Sequence, residues 1–358
     1  MTAAVDVIVF VEDPGSVNMV LSLPNFFEDN GISWKYIAHG VAKKIIQSHF
    51  WPKRNALHDY DVECIIELYQ PKLIIVGTSE NVNSLGLRLI RESKLAGIET
   101  LGLVDMAVNA DVRFPGLDRN GVENKPDTIA VVDEFTRAEF IKMGCSAESV
   151  INIGHPLYDN VWEKRSQMPI GLDDRSQNKP WLFLAEPADS LKPSESFRSK
   201  EYSLFGTGIS RWRTAIVLEE LLLLRDCLCP DKAIVVRLHP KMQQSELSHV
   251  HGAFEYDTLS DPYHSLCRSD IVFGMTTMLL IEAAILGCKV LSIVPRECEK
   301  KWLLPLLLNQ LPVVTDRICL RELVANPQHP NWNAAPLESW AIRGASKRLQ
   351  SLITKCLA

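Results

Sequence analysis

The sequence lacks the features that mark several large classes of protein. Its 358 residues carry a formal net charge of −6, so there is no overall basic excess of the kind that binds nucleic acid. No apolar run approaches the ~20 residues that a membrane span requires. Residues 1–15 have no basic segment before a short apolar run, which indicates a first strand and not a secretion signal. We therefore expect a cytoplasmic globular protein without a nucleic-acid partner.

The common nucleotide and hydrolase motifs are missing too. There is no G-x-x-x-x-G-K-[ST] sequence, no G-x-G-x-x-G after the first strand and no G-x-S-x-G. These absences argue against P-loop chemistry, classical dinucleotide binding and a serine-hydrolase triad. The nine cysteines are scattered, and only Cys227 and Cys229 lie close together, so we predict free thiols and no bound metal.

The sequence does contain a repeated alternation of short β-branched runs with helical patterns. The predicted strands are 5–11, 34–38, 73–77, 100–104, 128–132 and 150–153 in the first half, and 181–185, 233–238, 270–274 and 289–294 in the second. Buried strands that alternate with helices indicate a parallel sheet covered on both faces. We therefore predict an α/β protein with two doubly wound, Rossmann-like domains.

A polar stretch with proline and glycine interrupts the alternation after Trp162. We predict a first domain over 1–160, a linker over 161–179, and a second domain over 180–358 that includes a last helix at roughly 337–357. Ligands of such sheets bind at the carboxyl ends of strands, at the point where the strand order reverses. With two domains, the expected site is a cleft between them.

The most informative stretch is SDIVFGMTTMLLIEAAILGCKVLSI, residues 269–293. It predicts a strand that ends before Met275, Thr276 and Thr277, then an apolar helix with one carboxylate, Glu282. A helix start offers unpaired N–H groups and partial positive charge, and threonine hydroxyls add donors, so this segment can bind a phosphate. Glu282 could accept hydrogen bonds from ribose or sugar hydroxyls. The alternative is that a threonine only caps the helix and Glu282 only complements its dipole.

A second strand end in the same half carries basic residues. The run AIVVRLHPK ends in the candidate ligand residues Arg237, His239, Pro240 and Lys241. A histidine flanked by arginine and lysine suits a phosphate-bearing ligand, and proline keeps the turn rigid. His239 is expected on the same edge of the sheet as Thr276. The strand 181–185 ends before Glu186, which could line the same edge.

The first half has polar strand ends of its own. The candidate binding residues are Glu12, Gly15 and Ser16 after the first strand, Thr78 and Ser79 after another, and Asp105 followed by Arg113 after a third. Adjacent carboxylates at a strand end can supply a general base, and Asp13 is the candidate for that role. The alternative is that Asp-Pro-Gly-Ser only forms a turn and caps a helix.

The two Rossmann-like halves, the junction IGHPLYD and the segment 269–293 resemble the GT-B superfamily. This superfamily holds nucleotide-sugar glycosyltransferases and UDP-N-acetylglucosamine 2-epimerase. The pairing of RLHPK with a downstream Thr-Thr segment is similar to the His-Pro and Ser/Thr motifs of bacterial sialyltransferases and polysialyltransferases, which bind a cytidine monophosphate donor. EDPG is loosely similar to their acidic motif. The epimerase's Asp-Ser-Gly-Gly signature is replaced by Gly274, Met275, Thr276 and Thr277, which argues against epimerase activity.

The resemblance implies a glycosyltransferase of surface-polysaccharide type. It implies a CMP- or UDP-linked sugar donor in the second domain and a glycan or lipid-linked acceptor in the first. His239 and Thr276–Thr277 would then neutralise the leaving phosphate, Glu282 would hold the sugar or ribose, and Asp13 would deprotonate the acceptor. The nucleotide sugar is a substrate, and no cofactor is expected beside it.

Two rival functions stay open at this point. One is a nucleotide-sugar epimerase or hydrolase on the same fold, which would turn over its substrate without an acceptor. The other is a non-catalytic nucleotide-binding protein of a polysaccharide locus. Peripheral membrane association and the oligomeric state also stay open.

Overall fold

The chain folds into two compact units. A computed structural model describes residues 4–48, 62–79, 81, 83–114, 124–167, 179–187, 197–332, 337 and 340–358. The first unit comprises Met1–Asn160 with Ala341–Ala358, and the second comprises Val161–Trp340. Each unit contains its own sheet of six parallel strands with helices around it. The predicted α/β class with two doubly wound sheets is confirmed.

The first sheet has the strand order β2-β1-β3-β4-β5-β6. Its strands are β1 (Val7–Val11), β2 (Trp34–Ala38), β3 (Leu73–Gly77), β4 (Glu99–Leu103), β5 (Thr128–Val131) and β6 (Val150–Asn152). The helices are α1 (Pro14–Val20), α2 (Leu23–Asp29), α3 (Gly40–Ser48), α4 (Val62–Tyr69), α5 (Leu85–Leu95), α6 (Glu134–Lys142) and α7 (Pro156–Gln167). Since β2 and β3 flank β1, the order of strands reverses at β1.

Alternate residues of β1 enter two different apolar clusters. Val7 and Val9 pack into one cluster, and Ile8 and Phe10 into the other. Each of these four side chains is buried. A strand with apolar residues at every position is stable only when both faces of its sheet are covered, which is why this run forms a central strand.

The last helix, α13 (Ala345–Leu357), belongs to the first unit and not to the second, where the sequence placed it. Leu349, Leu352 and Ile353 form an apolar stripe that packs into the same cluster as Val7. The carboxylate of Asp159 accepts hydrogen bonds from two backbone N–H groups at the start of this segment, at 2.6 and 2.8 Å. Helical periodicity predicts that a face is buried, but it does not identify the sheet that covers the face.

Part of the predicted linker is helical. The helix α7 continues without a break to Gln167, and residues 168–178 lie outside the described part of the chain. Residues 161–167 of the expected linker over 161–179 are therefore helical, and most of the remainder lies outside the described residues. The end of this helix, EKRSQ, is as polar as a linker, so composition alone did not identify it as helical.

The second sheet has the strand order β12-β11-β10-β7-β8-β9. Its strands are β7 (Trp181–Leu184), β8 (Ile234–Arg237), β9 (Glu255–Tyr256), β10 (Ile271–Gly274), β11 (Val290–Ile293) and β12 (Val313–Val314). The helices are α8 (Arg213–Leu228), α9 (Pro262–Cys267), α10 (Met278–Leu286), α11 (Leu304–Leu307) and α12 (Arg317–Ala325). The strands β9 and β12 have two residues each, too few to show a pattern in the sequence.

The strand order of the second sheet reverses at β7. This strand pairs with β8 on one side and with β10 on the other, and all three are parallel. Their carboxyl ends therefore meet at one edge, and the gap between β7 and β10 is the place where α/β sheets usually bind ligands. Among the described residues, no helix is long and apolar enough to cross a membrane.

The position of α13 gives a prediction about stability. Leu349 is fully buried, so Leu349→Ala should lower the free energy of unfolding by about 2–5 kcal/mol. Lys347→Ala, on the exposed side of the same helix, should change it by less than about 0.5 kcal/mol. Urea denaturation monitored by circular dichroism measures both. Equal effects of the two substitutions would contradict the packing of this helix on the first sheet.

Candidate functional site

A carboxylate lies where the strand order of the second sheet reverses. Glu186 follows β7, and its Oε1 accepts a hydrogen bond from the backbone N–H of Thr276 at 2.5 Å. Its Oε2 accepts from the Thr276 hydroxyl at 2.8 Å and from Arg213 Nη1 at 2.9 Å. The ends of β7 and β10 are thus joined by one side chain, with Arg213 of α8 as its counter-ion.

Arg213 continues into a buried chain of alternating charges. Its Nε donates to Glu299 Oε2 at 2.6 Å, and Arg296 Nε donates to the other oxygen of Glu299 at 2.7 Å. Arg213 is 2% exposed and Glu299 is 0% exposed, so this ion pair is fully withdrawn from water. Both guanidinium groups also lie over the ring of Trp302, at 5.2 and 5.3 Å from its centre.

The electrostatics keep Arg213 charged despite its burial. Burial alone would lower the pKa of Arg213, but the carboxylates of Glu186 and Glu299 outweigh it and raise that pKa above its ordinary value. A permanently charged guanidinium at the end of a sheet is a strong anion-binding group. Here its partners are two carboxylates of the protein itself.

The segment between β10 and α10 combines capping with hydrogen-bond donors. The Thr277 side chain accepts a hydrogen bond from the backbone N–H of Leu279 at 3.3 Å, as an N-cap does. Met275 is buried, and its carbonyl accepts from the Ser292 hydroxyl at 2.6 Å. The capping alternative therefore describes Thr277, whereas the donors of Thr276 are directed at Glu186.

The predicted basic cluster after β8 divides into two parts. Arg237 Nη1 donates to Asp257 Oδ2 at 2.5 Å and to the Leu259 carbonyl at 3.0 Å, so it ties β8 to the chain that follows β9. His239 is half-buried, and its Nδ1 accepts from the backbone N–H of Lys241 at 3.2 Å. Lys241 itself is exposed, as is Pro240. The imidazole thus shapes the turn, and a ligand role for His239 stays a prediction.

Glu282 is a buried carboxyl in α10. It is 8% exposed and accepts a hydrogen bond from the hydroxyl of Tyr263 at 2.7 Å. Burial raises the pKa of Glu282 to about 7, although the Tyr263 hydrogen bond and the charge of Lys164 act in the opposite direction. The ammonium of Lys164 lies 4.0 Å from the centre of the Tyr263 ring. This carboxyl can therefore change its charge near neutral pH.

In the first unit, Glu12 also connects two strand ends. It follows β1, and its carboxylate accepts hydrogen bonds from the backbone N–H of Leu85 at 3.1 Å and from the Ser84 hydroxyl at the start of α5. The neighbouring Asp13 and Ser16 close the predicted turn, because the Ser16 hydroxyl bonds the backbone of Asp13 at 3.2 and 2.7 Å. Turn formation and capping are thus present in this loop.

The other first-unit candidates are packed closely. Asp105 pairs with Arg113 Nη1 at 3.1 Å, and a Cβ atom on Gly15 would lie 1.7 Å from Asp105 Oδ2. Thr78 and Ser79, after β3, are both buried, and the Thr78 hydroxyl donates to a backbone carbonyl at 2.9 Å. The structure therefore brings Gly15, Asp105 and Arg113 together, whereas Thr78 is engaged within the sheet.

Sequence reasoning missed Arg213, Glu299 and Tyr263. Glu282 was found because it is the one charged residue of an apolar helix, whereas Arg213 lies at the start of a helix with four further charged residues, so the same signal did not single it out. The described residues contain no group of three His, Cys, Asp or Glu side chains that could hold a metal ion. The absence of a bound metal stays a prediction.

The buried carboxyl gives a prediction about pH. The folded pKa of Glu282 lies near 7, above the value of 4.5 expected for an unfolded chain. The stability of the wild type relative to Glu282→Gln should therefore be greatest below about pH 4.5. It should decrease as pH rises from there to about 7, by about 1.4 kcal/mol for each pH unit, because only the unfolded chain loses the proton in that interval. Urea denaturation across this range measures the difference. The stability difference between the wild type and the exposed variant Glu322→Gln should not vary with pH in this way. A difference between the wild type and Glu282→Gln that stays constant across the range would refute the raised pKa of Glu282.

No protein-family model matches the chain, and no curated protein matches it. Solved structures do match over its whole length. UDP-GlcNAc 2-epimerase from Neisseria meningitidis bound to UDP-GlcNAc superposes with a TM-score of 0.65 at 13% identity, covering 99% of this chain and 100% of that one. MurG from Acinetobacter baumannii gives 0.57 at 11% identity, covering 98% and 99%.

HepE from Anabaena in complex with UDP-glucose gives a TM-score of 0.54 at 12% identity, covering 98% of each chain. At these identities the likeness shows the fold alone. The resemblance to the GT-B fold is therefore confirmed, and the similarity to sialyltransferase motifs stays a prediction.

Proposed function

We propose that the protein binds a nucleotide sugar at the edge where β7, β8 and β10 end, and transfers its sugar to a glycan or lipid-linked acceptor. The observation that carries this proposal is the set of polar groups around the reversal of strand order, above all Thr276 and the buried Arg213. Backbone N–H groups, hydroxyls and guanidinium groups are the donors that bind phosphate oxygens.

The fold neighbours support a nucleotide-sugar ligand. The Neisseria epimerase was solved with UDP-GlcNAc and the Anabaena HepE with UDP-glucose. This chain aligns with both over nearly its whole length. We propose a UDP- or CMP-linked sugar as the donor, with no cofactor and no metal beside it.

The proposed roles follow from the charges of the second unit. Arg213 and Thr276 stabilise the negative charge that develops on the leaving phosphate, as does His239 at the end of the neighbouring strand. Glu282, in its protonated or charged form, binds a hydroxyl of the ribose or sugar. The nucleotide leaves as a stable anion, so a general acid is not required.

We propose that the first unit binds the acceptor and that Asp13 takes the proton of its attacking hydroxyl. A cytoplasmic location and surface-polysaccharide synthesis are parts of the same proposal. Peripheral association with a membrane would follow from a lipid-linked acceptor.

The rival function is epimerisation of a nucleotide sugar. It has the support of the epimerase structures among the fold neighbours. Against it stands the replacement of the epimerase's Asp-Ser-Gly-Gly signature by Gly274, Met275, Thr276 and Thr277. A reaction without acceptor separates the two, because an epimerase converts its substrate and a transferase needs a second substrate.

Nucleotide binding is the first test. Titration calorimetry with UDP, CMP and their sugar conjugates should give saturable heat for at least one of them. His239→Ala should weaken that ligand roughly ten- to a hundredfold, as expected for one charge-assisted hydrogen bond. The exposed His251→Ala is the matched control and should bind like the wild type. Absence of binding for the whole panel would refute the proposed function.

The proposed base is tested separately. Asp13→Asn should abolish acceptor-dependent release of nucleotide and leave nucleotide affinity nearly unchanged, because it removes a proton acceptor in the other unit. Asp111→Asn, an exposed carboxylate of the same unit, should keep its activity. Turnover near the wild-type rate in Asp13→Asn would leave Asp13 with its turn-forming role alone. A change of the sugar's configuration without acceptor, followed by proton NMR, would favour the epimerase.

A further inference from the structure

The donors that would bind a ligand phosphate are already occupied by a carboxylate. The backbone N–H of Thr276, its hydroxyl and Arg213 Nη1 all donate to Glu186, at 2.5, 2.8 and 2.9 Å. A carboxylate and a phosphate present the same kind of charged oxygen acceptor to such donors. An incoming phosphate must therefore compete with Glu186 for these groups.

Glu186 is the most exposed residue of the buried charge chain, whose other end, Arg296, lies 3.7 Å from the exposed Glu201. The side chain of Glu186 is 11% exposed, whereas Arg213 is 2% and Glu299 is 0% exposed. At this end of the chain, water and ligands therefore reach Glu186 before they reach Arg213 or Glu299. Glu299 cannot exchange in this way because it is enclosed on all sides.

The main chain at Glu186 is fixed independently of its carboxylate. The Thr214 hydroxyl donates to the Glu186 carbonyl at 2.6 Å, and the preceding Ala185 N–H donates to the Arg237 carbonyl at 2.9 Å. The side chain can therefore rotate away while the end of β7 keeps its place. The movement that this requires is a change of side-chain rotamer.

The exchange keeps the buried charges balanced. When the Glu186 carboxylate leaves, Arg213 keeps Glu299 as one partner at 2.6 Å and gains the ligand phosphate as the other. Removal of Glu186 without replacement would leave a buried guanidinium and an N–H group short of acceptors, which is unfavourable. The site therefore always prefers to hold one anion.

From this geometry we propose that Glu186 is an internal counter-anion, which the phosphate of the nucleotide sugar displaces from Thr276 and Arg213. The proposal rests on the proposed function and adds Glu186 as a residue that determines specificity. It predicts that ligands without an anionic group, such as a free nucleoside or sugar, fail to open the site. It also predicts that the Glu186 carboxylate lowers the affinity for a phosphate-bearing ligand, because the two compete for the same donors.

The test uses two substitutions of Glu186 that weaken its hydrogen bonds to Thr276 and Arg213 and change the size of the side chain little. Glu186→Gln places a neutral amide against Thr276 and Arg213, and Glu186→Asp keeps the charge on a side chain that is one carbon shorter. Both variants should bind UDP and inorganic pyrophosphate more tightly than the wild type in calorimetry. The expected gain is roughly ten- to a hundredfold, the factor for one charge-assisted hydrogen bond. The exposed Glu255→Gln is the matched control and should leave both affinities unchanged.

The outcomes separate this proposal from the proposed function. Binding of UDP to the wild type with unchanged or weaker binding to a folded Glu186→Gln or Glu186→Asp overturns the internal anion and leaves the function standing. Weaker binding would mean that Glu186 contacts the ligand directly. Tighter binding of pyrophosphate by the variants, with no nucleotide bound by any protein, supports the internal anion and overturns the function. No binding of any of these ligands overturns both.

Discussion

The buried guanidinium of Arg213 fixes the geometry of the candidate site. Through Glu186 it is connected to the end of β7 and to Thr276 after β10, and through Glu299 to the segment before α11. Loss of one partner from a buried ion pair typically costs about 3–5 kcal/mol, because a charge is left without compensation. The pair itself is a weak source of net stability, so its main effect is to hold these segments in one arrangement.

Besides Arg213, the helix α8 carries two more buried charged residues that bind neighbouring segments. Glu219 and Glu220 are each 1% exposed, and they accept hydrogen bonds from the backbone of the loop before the helix, at Thr207 and Gly206. Arg317 of α12 neutralises Glu220 at 2.7 Å. Glu219 and Glu220 therefore hold the loop before the helix in place, and Glu220 also connects α8 to α12. Glu220 supplies the acceptor for the backbone N–H of the buried Gly206, which would otherwise be left unpaired.

The fold was largely predictable, because β-branched runs alternating with helical patterns specify a parallel sheet. The capping role of Thr277 was predictable for the same reason, since N-caps are local. The buried ion pairs were not predictable from the sequence. Arg213 lies 27 residues from Glu186 and 86 from Glu299, and sequence spacing does not show which charges meet across such distances. The assignment of α13 to the wrong domain has the same origin.

The two units have the same arrangement of a glutamate at the point where the strand order reverses. In each, a glutamate after the first strand accepts a backbone N–H group beside a helix that follows the neighbouring strand. Glu12 accepts from Leu85, the first residue of α5, and Glu186 accepts from Thr276, two residues before α10. Reversal of strand order leaves such N–H groups and their partial positive charge in a gap, which needs an anion. In both units a glutamate of the chain itself supplies that anion. Under the exchange proposed for Glu186, affinity for a phosphate is the difference between two anions that compete for the same donors, and in the second unit Arg213 adds a positive charge to those donors.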